Sequence, residues 1–321
     1  MSADNQTPAS AFHAGEVQLQ EIAGLAEKMA EIGSRVVRRY MPDQHREFFS
    51  HLPYMIVGAL DDTRQPWATI LPGAPGFMQS PTPTTLQIVA QPAADDPLAQ
   101  ALHNGAPVGM LGFEAHTRRR NRVNGTLIDT DANGFVVQVT ESFGNCPKYI
   151  QAREASPVSL PDTATAHAMT ALDEQAHTLI ADADTLFIAS AHPQAGSGEG
   201  YGVDVSHRGG KPGFVKIERG EGGKDTLQLP DFVGNFFFNT FGNIALNPRV
   251  GLLFIDYAGH NLLHIAGHAR LILEGPEVDA YAGAERILSI EVNSAIWRSN
   301  ALPLQWSKAE ASPFLEHTGR W

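Results

Sequence analysis

The first part of the chain has a helical pattern of apolar residues. Apolar side chains recur there every three or four positions, at Ile22, Leu25, Met29, Ile32 and Val36. Because this spacing places them on one face of an α-helix, the pattern predicts a helix over residues 16–40. A short second helix is predicted over residues 43–49, and the polar residues 1–12 are expected to form a loose tail.

Beyond this helical region the pattern changes to short runs rich in β-branched and apolar residues. Turn-forming pairs such as Asn124-Gly125 and Asn133-Gly134 separate them, which is typical of antiparallel strands. The predicted strands of the first half cover residues 54–60, 67–71, 85–90, 108–115, 122–128 and 134–140. Those of the second half cover residues 185–191, 200–205, 214–218, 226–229, 250–256 and 262–273. Helices are predicted over residues 95–104, 166–181 and 237–246, and a linker over residues 157–165.

The two halves of the chain are similar to each other. Four landmarks recur in the same order: a Pro-Gly-Phe triplet at 75–77 and 212–214, a Thr-Leu-Gln run at 85–87 and 226–228, a Val-Gly pair at 108–109 and 250–251, and a glycine at 125 and 267. Four such matches in register indicate a duplicated unit.

The duplication and the strand pattern together predict the fold class. We expect a mainly β protein with flanking helices (α+β), in which tandem split β-barrels form a pseudo-two-fold pair. The predicted units are an N-terminal tail and helical segment at 1–48, a first barrel at 49–160 and a second barrel at 161–321.

Charge and composition exclude several classes of partner. The 321-residue chain has a formal net charge of −12, so we expect binding neither to nucleic acid nor to an anionic membrane, both of which would repel it. Cys146 is the only cysteine, which excludes an internal disulfide and a thiolate metal site. With no signal-like or membrane-spanning run, the sequence predicts a cytoplasmic protein.

Several segments carry a resemblance to a known family. In the second half they are residues 204–214, 229–243 and 247–254; in the first half they are residues 41–46, 66–68, 117–125 and 142–150. With these segments the chain resembles the pyridoxamine 5′-phosphate oxidase-like FMN-binding split barrels, in a two-barrel, single-chain form. One segment departs from the family pattern: Phe238-Asn239-Thr240 stands where the family often has Ser-Arg-Lys before the Asn-Pro helix end.

The resemblance implies an FMN-binding oxidoreductase with the flavin between the two barrels. Its partner would be a small-molecule substrate or electron acceptor, and the chain would be a monomer or homodimer. Two alternatives remain open: a haem-binding or haem-degrading protein of the same fold, and a non-catalytic flavin-binding module that works with a separate reductase. No residue stands out as an obligatory catalytic acid or base.

The candidate cofactor-binding residues form four groups. Arginine forks suit phosphate oxygens, and glycine-rich segments let backbone N–H groups approach an anion, whereas amides and hydroxyls suit the polar edge of a flavin. The arginines could equally form a solvated hairpin. The groups are Arg118, Arg120 and Arg122; Asn145 and Lys148; Ser206, His207, Arg208 and Lys211 in a predicted loop; and Asn235, Asn239, Thr240 and Asn243.

A row of histidines is a candidate metal or haem site. His260, His264 and His268 are four residues apart on a predicted strand, and a period of two would place them on one face. A turn near residues 259–261 is expected to remove His260 from that face, and no carboxylate completes a metal-binding pattern. The sequence therefore predicts no metal site.

Overall fold

The structure, a computed structural model, describes residues 11–161, 163–198, 200–220 and 223–321. Most of the predicted N-terminal tail, residues 1–10, and residue 162 of the predicted linker lie outside the described residues. The helices are α1 (Ala14–Ile22), α2 (Ala26–Val36), α3 (Asp43–His51), α4 (Glu174–Asp182), α5 (Asn239–Leu246) and α6 (Pro276–Asp279). The first strands are β1 (Tyr54–Leu60), β2 (Pro66–Pro72), β3 (Met78–Thr82), β4 (Thr85–Ile88), β5 (Pro107–Glu114), β6 (Arg119–Asp131), β7 (Gly134–Gly144), β8 (Ala155–Pro157) and β9 (Thr165–Met169). The remaining strands are β10 (Thr185–Ala191), β11 (Val203–Gly209), β12 (Lys216–Arg219), β13 (Asp225–Asp231), β14 (Arg249–Ile255), β15 (Leu262–Ile272), β16 (Arg286–Ser299) and β17 (Leu304–Trp306).

Two antiparallel sheets with a shared seven-strand order make up most of the described chain, and the second sheet has β9 as an eighth strand beside β16. Their strand orders are β2-β1-β5-β6-β7-β4-β3 and β11-β10-β14-β15-β16-β13-β12. Each strand of the second order corresponds to the strand of the first order whose number is nine lower, so that β10 corresponds to β1 and β16 to β7. The prediction of a mainly β fold built from two similar split-barrel halves is confirmed.

The repeated glycines occupy equivalent positions in the two sheets. Gly109 of β5 pairs with Asn124 of β6, and Gly251 of β14 pairs with Ala266 of β15. The ladder shifts register immediately after these partners, at Gly125 in β6 and at Gly267 in β15. A bulge that recurs at the same place bends both sheets alike.

The two barrels pack against each other through these glycines. A Cβ on Gly109 would lie 2.2 Å from the carbonyl oxygen of Val203 in β11, and a Cβ on Gly251 would lie 2.3 Å from that of Pro66 in β2. Only a residue without a side chain permits such an approach. Because β2 and β11 are equivalent strands, the two contacts are related by the pseudo-two-fold axis.

The N-terminal region forms two helices instead of the single predicted one. Gly24 has a φ of +69°, in the left-handed region, and separates α1 from α2. Helix α1 then packs on α5 of the second barrel, where Gly15 and Gly242 allow the two backbones to meet. The periodicity of the apolar residues continued across the break, so the sequence pattern did not reveal it.

Three other predicted elements are corrected by the structure. The region predicted as a helix over residues 166–181 begins with β9, which pairs with β16, and its helix α4 starts only after Asp173, whose carboxylate caps it. Residues 95–104 form turns without a helix. Ser206 to Gly209 belong to β11 rather than to a loop. Strands β3, β8, β16 and β17 were not predicted.

None of the described helices combines the length and apolar character needed to cross a membrane.

Candidate functional site

A cleft lies between the two barrels. Its walls come from the start of β6 and the segment after β7 on one side, and from β11, the end of β13, the start of α5 and the first residue of β16 on the other. It holds a cavity of about 100 Å³ inside a wider cleft of about 870 Å³ that includes the solvent-filled mouth.

Most of the sequence-predicted cofactor residues meet in this cleft. They come from both halves of the chain and converge only through the fold. The residues that line it are Arg120, Arg122, Asn145, Lys148, Ser206, His207, Arg208, Asn235, Asn239 and Thr240.

Arg120 and Arg122 enter the cleft from the same face of β6. Arg122 donates to Asp204 Oδ1 at 2.5 Å and to the Val205 carbonyl at 3.0 Å, so it joins the barrels. Arg120 donates to the Cys146 carbonyl at 2.7 Å. Arg119 points away and lies over the Phe48 ring, as the alternation of a strand requires.

Among the described residues, Arg120 has no carboxylate partner. Burial lowers the pKa of its guanidinium to about 9, and the neighbouring Arg208 and Arg122 act in the same direction. The group therefore remains charged at neutral pH with its positive charge poorly compensated. A bound anion would supply the missing charge.

Arg208 and Arg286 face the cleft from the second barrel and share one carboxylate. They donate to the two oxygens of Asp231, at 3.0 Å and 2.8 Å respectively. Burial lowers the pKa of Arg208, although Asp231 opposes this effect. Four arginines and Lys148 thus surround a cleft lined by one carboxylate, that of Asp231.

Several buried donors of the cleft have no hydrogen-bond acceptor. Asn145 Nδ2, Arg208 Nε and Arg122 Nε are all without a partner among the described residues. Because buried polar groups are normally paired, these donors indicate a ligand rich in acceptor oxygens.

The N-terminus of α5 faces the same cleft. Phe238 is its N-cap residue and has a φ of +60°, and no side chain caps the first turn. Phe236 also has a φ of +60°; such strain in two bulky residues is typical of functional sites. The uncapped helix end carries partial positive charge and attracts anions.

Aromatic side chains supply apolar surface beside the arginines. Arg208 lies over the Phe241 ring at 4.6 Å, and Arg286 lies over the Phe238 ring at 4.9 Å. The aromatic residues that line the cleft are Tyr149, Phe232, Phe236, Phe238 and Phe241.

Three predicted cofactor residues lie outside the cleft, which corrects their assignment to it. Arg118 precedes β6, with a φ of +57°, and pairs with Glu310 at 2.8 Å. Lys211 follows β11 and donates to the Thr318 carbonyl. Asn243 is on the buried side of α5 and donates to Asp204 at 2.9 Å.

Of the described histidines, His207 alone lines the cleft. His207 lies on the opposite face of β11 from Ser206 and Arg208, and its ring stacks on Phe113 at 4.9 Å. Of the predicted row, His260 precedes β15, and the bulge after Ala266 separates His264 from His268. Among the described residues no group of metal-ligating side chains could hold a metal ion.

The pseudo-two-fold axis relates this cleft to a second position between the barrels, beside β15 and β2, and that position is filled by side chains. His264 occupies the place of Arg122 and bonds to the Ala68 carbonyl at 2.9 Å, as Arg122 bonds to that of Val205. There Arg298 pairs with Asp96 at 2.6 Å and fills the interior. Of these two pseudo-equivalent positions, the described residues therefore leave only the first open as a cleft.

Sequence reasoning missed Asp231 and Arg286 as cleft residues. Arg286 begins β16, a strand that was not predicted. The duplication could have revealed it, because β15 needs the hairpin partner that β7 provides for β6.

The comparisons with known proteins found distant structural matches only. No family model matches the chain, and no curated protein matches it. HupZ from Group A Streptococcus is 13% identical to this chain. The match spans 39% of this chain and 98% of the HupZ chain, with a TM-score of 0.30. A second match is a protein from Lactobacillus delbrueckii that is named as a candidate pyridoxamine 5′-phosphate oxidase and is 16% identical. This match spans 33% of this chain and 95% of the other, with a TM-score of 0.27. MrkH of K. pneumonia, in a complex with c-di-GMP, is 11% identical. This match spans 75% of this chain and 78% of the MrkH chain, with a TM-score of 0.19. At these TM-scores the matches assign neither a family nor an activity.

Proposed function

We propose that the protein binds FMN in the cleft between its two barrels and acts as an FMN-dependent oxidoreductase. The observation that carries the proposal is the set of buried, unpartnered donors in the cleft, including Arg208 Nε and Asn145 Nδ2. They stand beside an arginine cluster in a protein whose net charge is −12. A phosphate monoester supplies both the negative charge and the acceptor oxygens that these donors lack.

The residues of the cleft suit the two parts of FMN. Arg120, Arg208 and Arg286, with the N-terminus of α5, would hold the phosphate, and they replace the Ser-Arg-Lys stretch absent at 238–240. The phenylalanine side chains offer the flat apolar surface that an isoalloxazine ring requires, and Asn235, Asn239 and Thr240 offer hydrogen-bonding groups.

The cavity is smaller than FMN needs. Ligand pockets usually measure about 300–1,000 Å³, against a cavity of about 100 Å³ here. Arg208 and Arg286 occupy the space while they pair with Asp231. We expect binding to draw their guanidinium groups from Asp231 toward the phosphate.

Bound FMN supplies reversible hydride and electron transfer. The protein's own contribution is then to hold the cofactor and to exclude water. Among the described cleft residues, the ring of His207 is stacked on Phe113 and the carboxylate of Asp231 is paired with two arginines. The small-molecule substrate or acceptor, and the alternative of a separate reductase, stay predictions.

The test is FMN titration of the apoprotein and of the variant Arg208→Met, followed by flavin fluorescence. Asp231 keeps Arg286 as a partner when Arg208 is replaced, so this variant should fold. A charged hydrogen bond contributes about 1.5–3 kcal/mol, so we expect the affinity for FMN to fall roughly 10-fold or more.

The matched control is Arg35→Met, which removes an exposed arginine of α2 whose ion pair among the described residues is with Glu31. Its affinity for FMN should equal that of the wild type. Equal affinity in Arg208→Met and Arg35→Met would refute the assignment of the phosphate to this cluster. Retention of haemin instead of FMN, judged by a Soret band after gel filtration, would favour the haem-binding alternative.

A further inference from the structure

A second chamber opens on the other side of Asp204. It lies between α1, β6, β7 and β11, and its cavity measures about 390 Å³. Three carboxylates line it: Glu16 from α1, Glu141 from β7 and Asp204 from β11. The first cleft is basic, whereas this chamber is acidic.

Asn124 connects two of these carboxylates. Its Nδ2 donates to Glu141 at 3.1 Å and to Asp204 at 2.9 Å. Asn124 is only 4% exposed, and its Oδ1 has no hydrogen-bond partner among the described residues. Because buried polar groups are normally paired, this acceptor indicates a ligand with a donor that no described residue provides.

The positive groups near the chamber do not balance its carboxylates. Arg122 is committed to Asp204 by their ion pair at 2.5 Å. Arg39 lies near Glu141 and stabilises its charged form only in part. Burial lowers the pKa of His13, so this histidine is neutral at pH 7.

The acids therefore repel one another. Burial and the charge of Asp204 raise the pKa of Glu141 to about 7, against the opposing effects of Asn124, Arg122 and Arg39. Burial, Asp204 and Glu141 together raise the pKa of Glu16 well above its ordinary value. A cation in the chamber would relieve this repulsion.

We propose that this chamber binds an organic ammonium group, which donates hydrogen bonds to Asn124 Oδ1 and to the Glu141 carboxylate. A metal ion is a poor candidate, because no group of side chains in the described chain is arranged to ligate one. The proposal does not depend on FMN, since the chamber and the basic cleft are lined by different charged groups and are tested separately.

The test is calorimetric titration of the apoprotein with n-butylammonium, and with n-butanol and butyrate as probes of the same length. We expect n-butylammonium to bind and the other two not to bind measurably. Binding at pH 8 should be about tenfold tighter than at pH 6, because Glu141 with a pKa of about 7 must lose its proton. Near pH 7 the measured enthalpy should also vary with the ionisation enthalpy of the buffer, as proton release requires.

The variant Glu141→Gln should weaken n-butylammonium binding at pH 8 at least tenfold and remove the pH dependence. Glu47→Gln, at an exposed position of α3, is the matched control and should bind as the wild type does. Equal affinity of the wild type for n-butylammonium and n-butanol would overturn the proposal, whether or not Glu141→Gln folds. An unchanged affinity in folded Glu141→Gln would overturn it as well.

Discussion

Arg122 and Arg208 both face the basic cleft, but they differ in whether their carboxylate partner has a second arginine to pair with. Arg122 is 2% exposed and is the ion-pair partner of Asp204, which also accepts hydrogen bonds from the amides of Asn124 and Asn243. Arg208 shares Asp231 with Arg286. We therefore expect Arg122 to contribute more to stability than Arg208, since Asp231 stays paired with Arg286 when the Arg208 guanidinium moves toward a ligand.

At the residue scale we predict that Arg122→Met destabilises the protein by about 3–5 kcal/mol, because it leaves the carboxylate of Asp204 buried without its cation. Urea unfolding measures this change. Arg208→Met should lose much less, since Asp231 stays paired. Equal losses in the two variants would contradict this division of roles.

The sequence revealed single residues well where alternation on a strand determined their direction. The period of two along a strand is enough to predict that Arg120 and Arg122 share one face and that Arg119 lies on the other. The sequence did not predict that the Arg118 side chain points away from the cleft. Its direction depends on its left-handed backbone and on Glu310, which lies 192 positions away in the sequence. Local sequence patterns do not predict contacts between residues so far apart in the chain.

At the element scale, the packing of α1 on α5 joins the N-terminal helices to both candidate sites. A Cβ on Gly242 would lie 2.4 Å from Glu16 Cγ and 2.6 Å from the Glu16 backbone nitrogen. Glu16 also accepts a hydrogen bond from Asn239 at the start of α5. Helix α1 thus supplies a wall of the acidic chamber and orients a side chain of the basic cleft.

We predict that Gly242→Ala separates α1 from α5 and costs about 1–3 kcal/mol of unfolding free energy, since backbone atoms cannot give way as a flexible side chain does. Thermal unfolding measures the loss, and limited proteolysis between α1 and α2 should become faster. Gly202→Ala is the control, because a Cβ there meets nothing within 4 Å. A melting temperature for Gly242→Ala equal to that of Gly202→Ala would show that the helices do not pack this closely.

Elements were predicted from sequence where periodicity and turn residues agreed. Strands β1 and β10 were predicted with their observed bounds. Strand β11 was truncated in the prediction, because Ser206, His207 and Arg208 give a polar run that is also typical of a loop. Those side chains are polar because the strand borders the cleft, a property of the tertiary fold.

At the scale of the whole molecule, one duplicated unit has produced two inequivalent inter-barrel positions. On one side Arg122 and Ser206 border the open cleft, whereas on the other His264, Thr69, Asp96 and Arg298 fill the equivalent space. The duplication predicted the paired architecture, but only the structure distinguishes the open position from the filled one.

We predict that Asp96→Asn destabilises the protein by about 1.5–3 kcal/mol, because the buried Arg298 loses its charged hydrogen bond to Asp96 but keeps its ion pair with Asp95. FMN affinity should not change, since the filled position lies outside the basic cleft. Asp43→Asn, whose side chain is 95% exposed, is the control and should change stability by less than about 0.5 kcal/mol. If the folded fraction of Asp96→Asn bound FMN more weakly than the wild type does, the two positions would not be independent.

The most direct test of the central claim is an absorbance spectrum of the purified protein after incubation with FMN and gel filtration. We predict a retained two-banded flavin spectrum at about one FMN per chain, with most of it lost in Arg208→Met and kept in Arg35→Met. A wild-type protein that elutes without flavin at micromolar concentration would contradict the proposal that the arginine cluster between the barrels is an FMN site.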